Sequence, residues 1–232
     1  MDSNQISQDQ IVVAQANFIT RVYAWMSGAL IITGIVAAWA AATPAVSQLI
    51  FGNKWAFYAL IISELLTVVY LTSVINKIEA QTATLVFLIY AALNGLTMSV
   101  IFMIYTNASI ASTFYITAGT FGAMSLYGYY TKKDLTSLGN MAFMGLIGII
   151  IASVVNFFFQ NEMLYWIVTY LGVLIFVALT AYDTQKIKRM GASVDDDGSD
   201  DVRKAAIMGA LILYLDFINL FLYLLRLFGK RR

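Results

Sequence analysis

The chain has 232 residues, 60% of them hydrophobic and 12% charged, with a formal net charge of +1 and a mean hydropathy of +0.77. Soluble domains run near 45–50% apolar and about 25% charged, so this composition excludes a water-soluble globule and calls for several bilayer-spanning helices. The basic residues form short clusters at the ends of apolar runs, which gives nucleic acid no continuous surface. With no Cys and no His, proton or cation chemistry falls to carboxylates.

Residues 1–21, opening MDSNQISQDQ, carry Asp2 and Asp9 but no early basic cluster, and are expected to form a cytoplasmic N-terminal tail rather than a cleaved signal peptide. A single transmembrane domain is expected over 22–229, followed by a basic tail at 230–232. Seven runs are long enough to cross about 30 Å of hydrocarbon: roughly Val22–Ala42, Trp55–Ile75, Ala83–Tyr105, Ser109–Tyr130, Leu138–Phe159, Met163–Tyr182 and Ala205–Phe228. Pro44, the glycine turn at Gly52 and short polar stretches separate them. The predicted fold is an all-α polytopic membrane protein with seven transmembrane helices, because lipid offers no partners to free backbone groups and the period of a membrane barrel is absent.

The one long hydrophilic connection is 186–204, KIKRMGASVDDDGSDDVRK. Aligning its Gly198 with the turn glycine of an EF-hand puts Lys204 where the closing bidentate carboxylate belongs, so the segment reads as a solvated linker. Arg21, Lys77, Lys132, Lys133, Lys186, Lys188, Arg189, Arg203 and Lys204 fall on the N-terminal side of the seven spans, against Lys54 in the opposite loops. The N-terminus is therefore predicted to be cytoplasmic. Arg226, Lys230, Arg231 and Arg232 would lie on the far side, a conflict that a re-entrant last segment would remove. Small residues at Gly119/Ala123, Ala142/Gly145/Gly148 and Gly148/Ala152 are expected to serve helix packing.

Three carboxylates fall within or at the edge of the spans: Glu64, Asp183 and Asp216. A central Asp costs an inserting helix about 2.5–3.5 kcal/mol, so such residues line cavities, pair or carry function. On the last helix Gly209, Asp216, Asn219 and Tyr223 share a face, with Arg226 at its edge, and this polar stripe should turn toward the bundle interior. Asp183 is either a solvated helix-end residue or the partner of Asp216, since the two belong to consecutive antiparallel helices. Two carboxyls in one low-dielectric site share a proton and titrate as a unit. At low pH the proton would hold the helices together; its loss would separate them and open a path. A divalent cation with a preference for oxygen ligands, calcium above all, could satisfy the same two anions. Glu64, in the second span, either draws cations into the outer mouth or is a neutral acid hydrogen-bonded to a neighbouring helix.

The runs FGAMSLYGYYTKKDLTSLGNMAFMGLIGIIIASVVNFFF (121–159), YLGVLIFVALTAYDTQKIK (170–188) and KAAIMGALILYLDFINLFLYLLRLFG (204–229), with VYAWMSGAL at 22–30, closely resemble the Bax inhibitor-1 (TMBIM) family, particularly its bacterial members. The resemblance implies a seven-helix fold whose last helix is central and surrounded by the other six. It also implies a pH-sensitive calcium leak, with Asp183 and Asp216 as sensor and gate, in a bacterial inner membrane. An intramembrane arginine of some family members has no counterpart in the second span, where Lys77 lies just past the end; direct contacts between the aspartates, or Arg226, would replace it. No cofactor beyond the transported ion and no enzyme activity are expected. Leu213, Tyr214 and Leu215 stand before Asp216 where an intramembrane aspartyl protease has its glycines. The alternatives are a non-conducting regulator bound to another membrane protein, and a proton-coupled carrier, for which internal repeats are lacking.

Overall fold

The computed structural model describes residues 3–192 and 199–232, with side chains from residue 12 onward. The chain forms α1 (Ser3–Ala42), α2 (Pro44–Phe51), α3 (Lys54–Val74), α4 (Ala80–Met98), α5 (Val100–Ile104), α6 (Asn107–Tyr130), α7 (Thr136–Phe159), α8 (Glu162–Ala192) and α9 (Asp200–Phe228). No strand forms among the described residues beyond one isolated bridge, Tyr105 to Arg231.

The helix boundaries follow local chemistry. Pro44 opens α2 at the first helical position, where its missing N–H costs nothing. Asn53 caps α3 by accepting from Trp55 N at 2.9 Å. Gln160, in the left-handed region at φ 49°, ends α7, and Asn161 Oδ1 accepts from Leu164 N at 2.9 Å to start α8. The third predicted span is interrupted at Ser99, whose Oγ donates back to Leu96 O at 2.6 Å and leaves a turn between α4 and α5.

Two segments expected to be irregular are helical. The stretch read as a tail, 1–21, is helix from Ser3, since it has no Gly or Pro and buries Phe18 at its C-terminal end. The connection read as a loop over 186–204 keeps α8 going to Ala192 and starts α9 at Asp200. Ile187 is fully buried among the helix-forming Lys and Arg, and Asp200 and Asp201 sit in the first turn of α9, where the helix dipole favours anions. The run Asp195–Asp197 lies outside the described residues.

Among the described residues, six helical segments are long and apolar enough to cross a membrane: Val12–Ala42, Lys54–Val74, Ala80–Ile104, Thr136–Phe159, Glu162–Ala192 and Asp200–Phe228. Against the seven expected, the remaining run, Ser109–Tyr130, is the 24-residue α6, which has the length but carries Ser and Thr where the others carry aliphatic residues. Of the six, α9 is the most buried, with 67% of its most apolar stretch enclosed against 39% or less for the rest.

The chain divides into two compact units. The first contains α1–α5, Arg189–Tyr214 and Arg231–Arg232. Its core is built around Tyr214, fully buried, with the rings of Phe87 and Tyr90 edge-on at 5.9 and 5.8 Å. Tyr214 Oη lies 2.7 Å from Thr33 Oγ1, which lies 2.9 Å from Ala91 O; the carbonyl can only accept, so Tyr214 donates to Thr33 and Thr33 to the carbonyl. The second unit contains Asn107–Lys188 and Leu215–Lys230. There Phe217 of α9 meets Phe114 and Phe121 of α6 at 5.5 and 5.3 Å, and Phe176 of α8 stacks on Tyr223 of α9 at 5.9 Å.

Candidate functional site

Asp183 of α8 and Asp216 of α9 both belong to the second unit, and the structure brings them together. Their side chains are hydrogen-bonded to each other, and each is at most 9% exposed. A hydrogen bond between two carboxyl groups needs a proton on one of them, so the contact describes a singly protonated or neutral pair. The second oxygen of Asp216, Oδ2, is buried without a hydrogen-bond partner. Asp183 is inside α8 rather than at its end, because that helix runs on through Lys186 to Ala192. Lys186, one turn beyond Asp183 and exposed, is a cation whose charge reaches Asp183.

The helix carrying Asp183 is held by close backbone approaches. Gly128 of α6 lies against the Ala181 carbonyl, so closely that a Cβ there would overlap it. Gly172 of α8 makes room for the ring of Tyr223. One turn on, Gln185 is a clamp: its Oε1 accepts from Leu135 N at 2.9 Å and its Nε2 donates to Lys133 O at 2.8 Å, fixing the α6–α7 connection. Lys188 donates to Tyr129 O at 2.8 Å and lies over that ring at 4.6 Å.

The other sequence candidates are placed differently. Asn219, half-buried, donates its amide to Leu215 O of its own helix at 2.8 Å. Tyr223 and Arg226 are neighbours, with the guanidinium 5.2 Å from the Tyr223 ring and 5.7 Å from that of Tyr165. Glu64 belongs to the first unit, is half-buried, and accepts a hydrogen bond from Thr97 of α4, the arrangement of an acid tied to a neighbouring helix. Asn94 reaches both Glu64 and Tyr90, and its own Oδ1 is buried without a partner, so the contacts use the NH2 group. Among the described residues no group of three acidic side chains gathers to hold a metal. Two carboxyls by themselves fall short of the six to eight oxygens of a calcium coordination shell.

The family described as "Inhibitor of apoptosis-promoting Bax1" matches residues 15–232. The chain is 54% identical over 227 residues to inner membrane protein YbhL of Escherichia coli, covering 97% of each chain. It is 46% identical over 225 residues to an uncharacterized protein of Borreliella burgdorferi, again covering 97% of each, and 35% identical over 223 residues to one of Caulobacter vibrioides, covering 93% of this chain and 89% of that one. The chain belongs to the Bax inhibitor-1 family. It is a bacterial inner-membrane protein.

In this Bax inhibitor-1 member, two elements of the site and one of the first unit's core escaped the sequence. Gln185 follows the Tyr-Asp pair and reads as an interfacial polar residue; only the folded connection shows its two backbone partners. Thr33 and Tyr214 are far apart in sequence, and nothing in either flank announces their bond. Gly128 and Gly172 carry close contacts that spacing did not single out; of the glycines it did, Gly145 is seated against Ile175 of α8, whereas Gly119 and Gly148 meet nothing within 4 Å.

Proposed function

We propose that this protein is a pH-sensitive calcium leak pathway of the bacterial inner membrane, gated by the proton shared between Asp183 and Asp216. The observation that carries this reading is the pair itself: two buried carboxyls in mutual hydrogen bond inside a membrane protein. At low pH the shared proton ties α8 to α9. As pH rises and the proton leaves, two anions face each other in a medium of low dielectric, where repulsion far exceeds its value in water, and the helices separate. Lys186 is a charged group that moderates this repulsion. In this reading all seven apolar runs cross, α6 included, and α9 is the central helix; its high burial supports that place.

The test is calcium entry into liposomes holding the purified protein at about pH 6 and about pH 8, comparing wild type with the Asp183→Asn, Asp216→Asn double variant. Flux that rises with pH in the wild type and is insensitive to pH in the variant is expected, since a carboxamide holds no exchangeable gate proton. Equal pH responses in both would remove the pair from the mechanism. The family description, which names inhibition of an apoptosis-promoting protein, favours a second reading: a non-conducting regulator docked on a membrane partner. Absence of flux above empty liposomes, in inserted and folded protein, would support it.

A further inference from the structure

The helix that lacks apolarity, α6, keeps its hydroxyls inside. Its buried residues include Ser109, Thr113, Thr117 and Ser125, which follow one buried stripe that drifts about 40° around the helix with each step of four, while Tyr115, Leu126 and Tyr130 are exposed. A helix that turns hydroxyls inward and aromatics outward has the polarity expected of a helix facing a hydrated interior. Hydroxyls can also hide by bonding back to the preceding turn, and Thr117 does so, donating to Thr113 O at 2.8 Å. Thr113 Oγ1 and Ser125 Oγ do not: both are buried without any partner, in residues 0% and 6% exposed. Buried hydroxyls without a partner are rare in folded proteins, and two of them along one buried stripe call for water or an ion to meet them.

The same face touches both helices of the aspartate pair. Phe121, one turn before Ser125, packs on Phe217, the residue after Asp216. Gly128, one turn after Ser125, lies against the carbonyl of Ala181, two residues before Asp183. Ser125 is therefore flanked by contacts to the immediate neighbours of each carboxyl, and Asp216 Oδ2 is itself buried and unpaired. We propose that the hydroxyl face of α6 lines a hydrated track to the aspartate pair, where Ser125 Oγ and Asp216 Oδ2 share a water molecule or a hard cation in transit. The proposal rests on the gate reading for what passes along the track, while the track itself stands on the hydroxyls. Water-lined hydroxyls supply oxygen ligands of the kind that calcium and other hard cations accept, and they exchange these ligands without a fixed charge to trap the ion.

Because the chain has no Cys, single cysteines report on this face without background. Thr113→Cys, Ser125→Cys and, as a lipid-facing control, Tyr115→Cys, a position 75% exposed, would be treated in liposomes with a small, membrane-impermeant cationic methanethiosulfonate at about pH 6 and about pH 8. The adduct is read by mass. The track predicts an adduct at Ser125→Cys and Thr113→Cys and none at Tyr115→Cys, since the thiolate forms only in water. Because the thiolate fraction itself rises with pH, labelling at each pH is taken relative to the same variant dissolved in detergent: a ratio that rises at about pH 8 supports both track and gate, and an equal ratio at the two values keeps the track and removes the pH gate. No adduct at either position at either pH, in protein whose Tyr115→Cys variant is labelled once dissolved in detergent, overturns the track.

Discussion

A buried hydroxyl pair shows how a single atom's partner decides its cost. Tyr214 is fully enclosed and donates to Thr33 at 2.7 Å, while Thr33 keeps the Ala91 carbonyl as its own acceptor. Tyr214→Phe removes a donor and leaves the ring contacts with Phe87 and Tyr90 in place, so about 0.5–1.5 kcal/mol of stability should go. Thr33→Val instead strands the tyrosine hydroxyl in the core and should cost about 1–3 kcal/mol; the double variant should be no worse than Thr33→Val alone. Thermal unfolding in detergent reads all three, and strictly additive losses would show that the hydroxyls do not depend on each other. At this scale the sequence was informative about charge and silent about hydroxyls. An Asp in LYLDFINL is conspicuous because no other charge is near it. A Thr in a membrane helix can always satisfy itself on its own backbone, so its residue type does not tell whether it does.

Helix contact in a membrane depends on how near two backbones can come, and the glycines divide accordingly. At Gly128 a Cβ would run into the Ala181 carbonyl of α8, a backbone atom that cannot rotate away. Gly128→Ala should therefore push α6 from α8 next to Asp183, costing about 1–3 kcal/mol as an overpacked core does. Gly119→Ala is on the same helix with nothing within 4 Å, and should be neutral or stabilising by up to about 1 kcal/mol through helix propensity. Comparing the two midpoints of thermal unfolding separates contact from propensity; equal shifts would mean that α6 is not seated on α8 as described. Spacing put Gly119 in view and not Gly128, because a three- or four-residue repeat defines a stripe without saying which stripe meets a helix and which meets lipid. The helices themselves were legible as apolar runs. Their ends were not: α8 and α9 extend into the charged connection because Ile187 is buried and Asp200 and Asp201 favour a helix start.

The number of crossings decides where the two ends of the chain lie, and parity makes this testable. Among the described residues six helical segments are long and apolar enough to cross, and an even number of crossings returns the C-terminus to the side of the N-terminus. If α6 crosses as well, the count is odd and the ends are on opposite faces. The cost of α6 crossing is small: its hydroxyls face inward, and its exposed surface carries Phe114, Tyr115, Ile116, Leu126, Tyr127 and Tyr130, residues suited to lipid and to its interfaces. The basic cluster at Lys132 and Lys133 follows α6 directly, and Lys186 to Arg189 lie near the end of α8. With α6 and α7 both crossing, these two clusters share the cytoplasmic face with Arg21, as the positive-inside rule requires; with α6 left out, Lys132 and Lys133 change sides. The opposing term is Arg226 and Lys230–Arg232, which an odd count sends to the periplasm. Those late charges act on a chain whose earlier helices are already inserted, and the first helices dominate orientation. Reporter fusions should therefore place the N-terminus in the cytoplasm and Arg232 in the periplasm, with a fusion after Lys133 cytoplasmic. An N-terminus and a C-terminus found on the same side would mean that α6 or α9 does not cross, and the hydroxyl face of α6 would then lose its membrane setting.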